Sequence, residues 1–181
     1  MEITRLLNKD FDKMYEIMQQ SFPTAEYRPK HRQYAILSDC NYSVNVLKEK
    51  DGISAFIATW NLQSFVFAEH FAVKENLRGR RIGSEFLKTY IETLEHPLVL
   101  EVENLNDEIS LRRIEFYKRL GFVLTDICYD QPNFQKHSKT IPLRIMYHPN
   151  GRQLDLNNVK SEIFKKIYKK TSNGDSIENE Q

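Results

Sequence analysis

Cysteine, net charge and long apolar runs are all scarce in this 181-residue sequence. Its two cysteines, Cys40 and Cys128, stand far apart, so we expect reduced, core-like thiols and no disulfide framework. A formal net charge of +1 argues against attraction of the whole protein to nucleic acid or to an anionic membrane. The N-terminal segment lacks the apolar core of a secretory signal, and no run approaches the ~18 apolar residues that cross a bilayer. We therefore expect an intracellular, cytoplasmic protein.

What the chain does contain predicts one folded domain. Aromatic residues make up 12% of the sequence, which favours a packed core over disorder. A chain of this length buries roughly 70% of its unfolded surface. Hydrophobic periodicity in the first half predicts a short strand at 2–7, helices at about 11–22 and 29–37, and an antiparallel meander of strands at 42–47, 53–60 and 65–73.

The second half predicts alternating helices and strands. The pattern indicates a helix that starts near residue 82, an apolar strand at 98–102 parallel to the strand at 65–73, a helix that ends at Gly121, strands at 122–127 and 141–147, and a loop at 129–140. We expect the main domain at 1–148. We expect an extension with an amphipathic, lysine-rich helix at 149–170, whose apolar face covers either its own domain or a second subunit. A polar, disordered tail is expected at 171–181.

The segment 78–84, RGRRIGS, joins the strand at 65–73 to the next helix. Its two glycines allow the backbone to approach a ligand closely. The free amides and positive dipole end of the helix favour an anion, and three arginines add charge. The segment therefore predicts a phosphate-binding turn, although an ordinary helix start with solvated arginines would have the same residues.

Two motifs together resemble the GNAT superfamily of N-acetyltransferases. EHFAV at 69–73 followed by RGRRIG at 78–83 resembles the acetyl-CoA loop of that family, R/Q-x-x-G-x-G/A. FYKRLGF at 116–122 resembles its later aromatic-Tyr-x-x-x-Gly-Phe signature. The resemblance covers about residues 2–147. It implies an α/β/α fold, in which helices flank a mainly antiparallel sheet with one splayed parallel strand pair, and it implies acetyl-CoA as cosubstrate.

The resemblance also implies which residues bind the cofactor. The pyrophosphate would lie on backbone amides of the turn, contributed by Arg78, Gly79, Arg80, Arg81, Ile82, Gly83 and Ser84. The pantetheine arm would pair with the strand end at Phe71, Ala72 and Val73 as a neighbouring strand does. Arg81 stands where the family usually has a glycine, and its amide can still donate if the residue is helical, as expected in a first turn. In the later motif, Ser110 replaces the asparagine often found there.

Glu69 and Tyr117 are the predicted catalytic residues. Strand alternation predicts that Glu69 faces the same side as Phe71 and Val73 and that His70 points away. A carboxylate there can remove the proton of an ammonium group. In many members of the family an acidic residue on this strand is the general base. The alternative is that Glu69 forms a surface salt bridge. Tyr117 matches the general acid of the family, which protonates the departing thiolate; the alternative is a core tyrosine.

Four charged residues are weaker candidates for binding the acceptor. Glu101 and Glu103 share one face of their strand and form either an acidic pocket for a cationic amine or two solvated carboxylates. Glu26 and Arg28 lie in the loop where the family often shapes its acceptor site, although a solvated loop is the simpler interpretation.

The function predicted from these features is direct transfer of an acetyl group from acetyl-CoA to a primary amine of a small molecule or protein. A non-catalytic, sensory acetyl-CoA-binding module and a transferase of longer acyl chains are alternatives. Histidines and cysteines lack metal-ligand spacing, so no metal is expected. No nucleic-acid or membrane partner is expected, because the basic face of the terminal helix is typical of a solvated surface. A homodimer is compatible with the sequence.

Overall fold

The computed structural model describes residues 2–49, 52–104, 107–131 and 141–168. Seven strands form one sheet: β1 (Ile3–Arg5), β2 (Tyr42–Glu49), β3 (Gly52–Asn61), β4 (Val66–Val73), β5 (Leu98–Glu103), β6 (Val123–Asp130) and β7 (Pro142–His148). The helices are α1 (Phe11–Ser21), α2 (Lys30–Ala35), α3 (Ile82–Glu92), α4 (Glu108–Lys118) and α5 (Leu156–Ile163).

The sheet has the strand order β1-β2-β3-β4-β5-β7-β6. Its neighbours are antiparallel except β4 and β5, which are parallel. This confirms the predicted fold class, the meander of β2, β3 and β4, and the parallel placement of β5. The parallel pair arises because β4 and β5 are joined by a crossover helix, α3, whereas the other neighbours reverse direction.

Two apolar layers cover the sheet, one on each face. Side chains of α1 and α5 pack with alternate strand residues such as Phe56, Trp60 and Ile145. Side chains of α3 and α4 pack with the other strand set, including Ile57, Leu98 and Met146. Strand alternation sends neighbouring residues to opposite faces, which is why β3, covered on both faces, is apolar nearly throughout.

Strand β6 is longer than the sequence pattern predicts. The predicted loop begins at residue 129, but Cys128, Tyr129 and Asp130 pair with Arg144, Leu143 and Pro142 of β7. Within this added stretch of the edge strand Cys128 and Asp130 are exposed and Tyr129 is buried. The remaining predicted loop, 132–140, lies outside the described residues, as do the predicted turn residues 50 and 51 and the tail at 171–181.

Both cysteines are exposed, so the expectation of core-like thiols is wrong. Cys40 lies in the turn before β2, and Cys128 occupies an outward position on the edge strand. In the ranges that the structure describes, no helix has the length and apolar character needed to cross a bilayer.

The terminal helix packs on its own domain. Asp155 caps α5, accepting a hydrogen bond from the Asn157 amide (3.1 Å), and one π-helical turn, Phe164–Tyr168, continues it. Its buried residues belong to the same apolar cluster as α1: Val159, Ile163, Ile167 and Tyr168. Its lysines at 160, 165 and 166 remain exposed. The apolar face therefore covers the sheet of the same chain.

We expect Ile163→Ala to lower the free energy of unfolding by about 2–5 kcal/mol, because the side chain is fully buried and its removal leaves a cavity. Lys165→Ala on the exposed face of the same turn is the control and should change it by less than about 0.5 kcal/mol. Urea denaturation followed by circular dichroism measures both. Equal, small effects would show that the helix does not pack on the sheet.

Candidate active site

A fork opens between the two parallel strands. β4 and β5 pair through Val66 with Leu98, Phe67 with Val99, and Ala68 with Leu100. Farther along, within the described strands, β4 pairs only with β3 and β5 only with β7. The first residues past the last pair are Glu69 on β4 and Glu101 on β5. The fork thus exposes backbone edges that a sheet would normally pair.

The backbone of Phe71 and Val73 points into this fork. The Lys74 amide donates to the Ser54 carbonyl (2.9 Å), so Lys74 and Ser54 form a hydrogen-bonded pair that continues the β3–β4 ladder. Such pairs alternate along an antiparallel ladder, so the N–H and C=O groups of Phe71 and Val73 point away from β3. From the open side, Arg78 Nε donates to the Val73 carbonyl (3.1 Å). An extended ligand can therefore pair with β4 here.

The start of α3 faces the wide end of the fork. The helix ladder begins with the Glu85 amide, which donates to the Arg81 carbonyl (3.0 Å). The amides of Ile82, Gly83 and Ser84 precede this first bond and have no partner in the ladder. Together with the helix dipole they suit a phosphate group, as expected for the segment 78–84.

Arg81 is left-handed, with φ 64° and ψ 0°. The expectation that it is helical is wrong, because the chain makes its turn into α3 at this residue and the helix begins at Ile82. The conformation costs a non-glycine residue about 1–2 kcal/mol, which explains why a glycine is usual at this place in the motif. The loop keeps the glycine geometry with an arginine side chain, and Gly79 also has a positive φ of 76°.

Gly83 brings α3 against β4. A Cβ atom placed there would lie 3.2 Å from Val73 Cγ2 and 3.6 Å from Phe71 Cζ. A larger residue would therefore push the helix start away from the strand that forms one edge of the fork. Arg78 ties the turn to α1 as well, because its Nη2 donates to Ser21 Oγ (3.0 Å).

Glu69 is the extra residue of a β-bulge. Ala58 of β3 faces His70, and the next residue, Thr59, faces Ala68. The bulge turns Glu69 to the same side as His70, and the two side chains approach to 3.6 Å between Oε2 and Nδ1. The expectation from simple alternation, that Glu69 faces the side of Phe71 and Val73 and that His70 points away, is therefore wrong.

Arg28 forms a buried, two-pronged ion pair with Glu69. Nη1 and Nη2 lie 2.8 and 2.7 Å from the two carboxylate oxygens, and the side chains are only 5% and 4% exposed. Burial alone would raise the pKa of Glu69, but Arg28 and His70 together outweigh burial and hold that pKa well below its usual range. The interpretation of Arg28 as a solvated loop residue is wrong, because it anchors the segment between α1 and α2 to β4.

A hydrogen bond from His70 also holds the segment between α1 and α2. His70 Nε2 donates to the Glu26 carbonyl (2.9 Å), so the Glu26 side chain stands at the cleft. Burial and the neighbouring Glu103 carboxylate raise the pKa of Glu26. Glu103 itself accepts a hydrogen bond from Arg113 of α4 (3.2 Å). Glu26 and Glu103, two of the three predicted acceptor-site carboxylates, therefore line the cleft, and the Glu103 charge is partly neutralised by Arg113.

Glu101 lies in a different setting from Glu69. Its carboxylate accepts hydrogen bonds from the hydroxyls of Tyr129 on β6 and of Tyr168 in the turn after α5, the latter 2.9 and 2.8 Å from its two oxygens. Burial raises its pKa to about 7, against the lowering effect of the two hydroxyls. Sequence reasoning missed both tyrosines, because periodicity predicts the buried face of a helix but not which strand it meets.

Tyr117 of α4 lines the cleft from the other face of the sheet. It packs against Phe116 and Phe122, and burial raises its pKa to about 12. Among the described residues, no group hydrogen-bonds its hydroxyl. The phenol therefore stays protonated at physiological pH and is available to a ligand.

The cleft has a volume of about 710 Å³ and brings together most of the predicted site. Its lining includes Glu26, Glu69, Phe71, Ala72, Val73, Arg78, Gly79, Arg81, Ile82, Gly83, Ser84, Glu101, Glu103 and Tyr117. Arg28 lies behind Glu69, and Arg80 is exposed outside the described lining. Arginines of the turn stand at one end and carboxylates at the other.

Comparison of the sequence with models of known protein families gives one match that fits the fold and the cleft. A model of the acetyltransferase (GNAT) family matches residues 11–122. The chain belongs to the GNAT family of acetyltransferases. No curated protein sequence matches it.

Solved structures of GNAT proteins have the same fold. A protein assigned to the GNAT family of acetyltransferases from Bacteroides thetaiotaomicron is 29% identical, with a TM-score of 0.84 over 93% of this chain and 98% of that chain. The ribosomal-protein-S18-alanine N-acetyltransferase of Escherichia coli is 22% identical, with a TM-score of 0.64 over 86% and 97%. An aminoglycoside 6'-N-acetyltransferase complexed with coenzyme A is 14% identical, with a TM-score of 0.61 over 86% and 100%.

We expect Glu69→Gln to lower the free energy of unfolding by about 3–5 kcal/mol, because it leaves Arg28 buried without a counter-charge. Adding Arg28→Met should recover most of that loss. The ion pair contributes above the unfolded pKa of about 4.3, and its contribution is lost as pH falls toward the much lower folded pKa. Urea denaturation at pH 7 and pH 3 measures the effect.

The matched control for this experiment is an exposed ion pair. Lys30 and Asp12 approach to 3.0 Å with side chains 58% and 71% exposed. Asp12→Asn should therefore change stability by no more than about 1 kcal/mol. A Glu69→Gln effect as small as this would contradict the assignment of a buried pair.

The left-handed backbone of Arg81 should make the glycine variant at this position more stable than the valine variant. Arg81→Gly should not destabilise the protein, since relief of the backbone strain offsets the flexibility of glycine. Arg81→Val should lower the unfolding free energy by about 1 kcal/mol or more, because β-branched residues resist positive φ. Denaturation curves of the two variants decide this, and a less stable glycine variant would contradict the turn geometry.

Proposed function

We propose that the protein transfers an acetyl group from acetyl-CoA directly to a primary amine. The observation that supports this most is the fork, whose open β4 edge leads to the free amides and arginines at the start of α3. The pyrophosphate of the cofactor would lie on the amides of Ile82–Ser84, and the pantetheine arm along Phe71 and Val73. A protein with this fold has been solved in complex with coenzyme A, which supports coenzyme A as the kind of ligand that the fork would bind.

Direct attack of the amine on the thioester fits the residues at the fork. An amide of Phe71 or Val73 that points into the fork would stabilise the oxyanion as the carbonyl becomes tetrahedral. Cys40 and Cys128 lie outside the described lining of the cleft, so no covalent cysteine intermediate is proposed. Holding both substrates in one cleft would supply much of the rate.

Tyr117 is the proposed general acid. Tyr117 lines the cleft, and its hydroxyl keeps its proton because burial raises the pKa to about 12. The departing thiolate would take that proton, and the phenolate would regain one from the nitrogen of the newly formed amide. A loss of activity from deprotonation of Tyr117 is therefore not expected below about pH 11.

Glu69, the base that the sequence predicts, has little basicity in this structure. A proton would reach it only at the expense of the ion pair with Arg28, whose hydrogen bonds occupy both carboxylate oxygens. We propose that Glu69 instead holds Arg28, and with it the segment that carries Glu26, beside the cleft. The proton of the amine then goes to another carboxylate. Acetyl as the acyl group, a primary amine as the acceptor, the possibility of a homodimer and a cytoplasmic location stay predictions from sequence.

Transfer can be tested with a panel of amines. Purified protein is given acetyl-CoA with small amines, amino acids, aminoglycosides and peptides with amino-terminal alanine or internal lysine. Thiol release and the mass of the product measure transfer, and a shift in Tm measures cofactor binding. Binding without transfer to any amine would overturn the catalytic proposal in favour of a sensory module. A preference for propionyl- or butyryl-CoA would revise the acyl group.

We expect Tyr117→Phe to lower kcat by about 10²-fold or more while acetyl-CoA binding is retained, because the leaving thiolate loses its proton donor. Tyr34→Phe is the control, since that tyrosine is 47% exposed and away from the cleft. Steady-state kinetics and isothermal titration with coenzyme A measure the two effects. Full activity in the Tyr117 variant would remove this residue from the mechanism.

A further inference from the structure

Two tyrosines from beyond the matched family region hydrogen-bond the carboxylate of Glu101. Glu101 lies within residues 11–122, but Tyr129 and Tyr168 lie after it, on β6 and on the turn that follows α5. We propose that the C-terminal helix is a working part of the active site: Tyr168, with Tyr129, holds Glu101 as the acceptor of the amine proton. This rests on the proposed transfer to an amine.

The position of Glu101 favours this role. It is the first residue of β5 after the last β4–β5 pair, so it lies at the point where the strands part. It lines the cleft and is only partly buried, so a ligand can reach it. The thioester carbonyl would lie beside the open edge of β4, across the same fork. A base must stand within reach of the nitrogen that attacks this carbonyl.

The two carboxylates at the fork differ in their partners. Glu69 faces a guanidinium, which fixes its charge, whereas Glu101 faces neutral hydroxyls, which stabilise the carboxylate without neutralising it. A pair of carboxyls whose surroundings separate their proton affinities is the arrangement that assigns one of them to acid–base work. Glu101 is the member that can change its protonation near neutral pH.

In the part of the chain that the structure describes, the titratable groups with the largest effects on Glu101 come from three elements. Tyr129 faces it from β6 and Tyr168 from the turn after α5, both as hydrogen-bond donors. Glu69 and His70 face it from β4, and Glu69 is itself neutralised by Arg28. Burial and the Glu69 charge raise the pKa of Glu101, the hydroxyls oppose them, and the result is about 7. A base with this pKa suits catalysis at neutral pH.

The proposed transfer moves two protons from the ammonium group of the acceptor. The ammonium group gives one proton to the Glu101 carboxylate, and the freed nitrogen lone pair forms the C–N bond at the acetyl carbonyl. The C–S bond breaks, the thiolate takes the proton of Tyr117, and the phenolate takes the second proton from nitrogen. Glu101 then releases its proton to solvent. The products are an amide, free coenzyme A and one proton.

Tyr168 and Tyr129 are positioning residues in this scheme, and pH dependence tests them. Removing one hydroxyl disfavours the charged carboxylate, so its pKa rises. We expect Tyr168→Phe to move the acidic limb of the kcat/KM profile upward by about one pH unit, with activity recovered at higher pH. Tyr129→Phe should act in the same direction. Glu101→Gln should abolish this limb and lower kcat by about 10²-fold or more.

Tyr90→Phe is the matched control. It also removes a buried hydroxyl, which lies 3.0 Å from Thr59 Oγ1 beneath α3 and away from the cleft. Its pH profile should coincide with that of the unmodified protein, whatever the effect of the lost hydroxyl on stability. The amine of the acceptor titrates identically in all variants, so it cannot produce the shift.

A second measurement needs no acceptor. The protein is labelled with ¹³C at glutamate carboxyls, and the Glu101 resonance is assigned by its loss in Glu101→Gln. We expect this carboxyl to titrate near pH 7, to shift upward in Tyr168→Phe and to stay unchanged in Tyr90→Phe. Titration between pH 4 and 5, or an unchanged value in Tyr168→Phe, would overturn the inference.

The two proposals fail in different ways. If no amine is acetylated by the unmodified protein, the proposed function is overturned and the role of Glu101 with it. If an amine is acetylated and Glu101→Gln keeps the full rate, only the assignment of the base is overturned. If the rate falls but the acidic limb stays in place in both tyrosine variants, the C-terminal helix has no part in tuning the site.

Discussion

The structure depends on the point where β4 and β5 stop pairing. Up to Ala68 and Leu100 they form an ordinary parallel pair, and from the next residues on each strand has only one neighbour among the described strands. The β-bulge at Glu69 coincides with this point and changes the direction of β4. Unpaired backbone is costly unless water or a ligand satisfies it, so the fork is a site where an extended ligand gains hydrogen bonds without breaking any.

The bulge also decides which side chains meet. Without an extra residue, Glu69 would follow Phe71 and Val73 toward α3 and α4. With it, Glu69 and His70 both face the segment between α1 and α2, where they bind Arg28 and the Glu26 carbonyl. A single inserted residue therefore moves a carboxylate from the cofactor face to an ion pair. The same residue anchors the loop that lines the acceptor end of the cleft.

The sequence predicts the fold well because the fold follows from periodicity and turn chemistry. The apolar strand at 98–102 after a crossover helix predicts a parallel pair, and the two glycines of RGRRIG predict the phosphate turn. The carboxylate roles were not predictable from alternation, because a bulge leaves no mark in a sequence such as VFAEHFAV. The partners of Glu101 were hidden for a different reason: Tyr129 and Tyr168 are distant along the chain, and only packing brings them together.

Keeping Glu101 with a raised pKa has a thermodynamic consequence. The pKa of an unfolded glutamate is about 4.3 and burial raises that of Glu101 to about 7, so the folded state is disfavoured as pH rises through this range, by roughly 4 kcal/mol once both states are ionised. Below pH 4 both states are protonated and the penalty is absent. The buried side chains of α5 and its last turn, each stabilising by about 1.5–3 kcal/mol, offset such a cost. The helix that supplies a hydroxyl to the carboxylate therefore also supplies the stability that keeps it partly buried, which couples docking of the C-terminal helix to the proton affinity of the site.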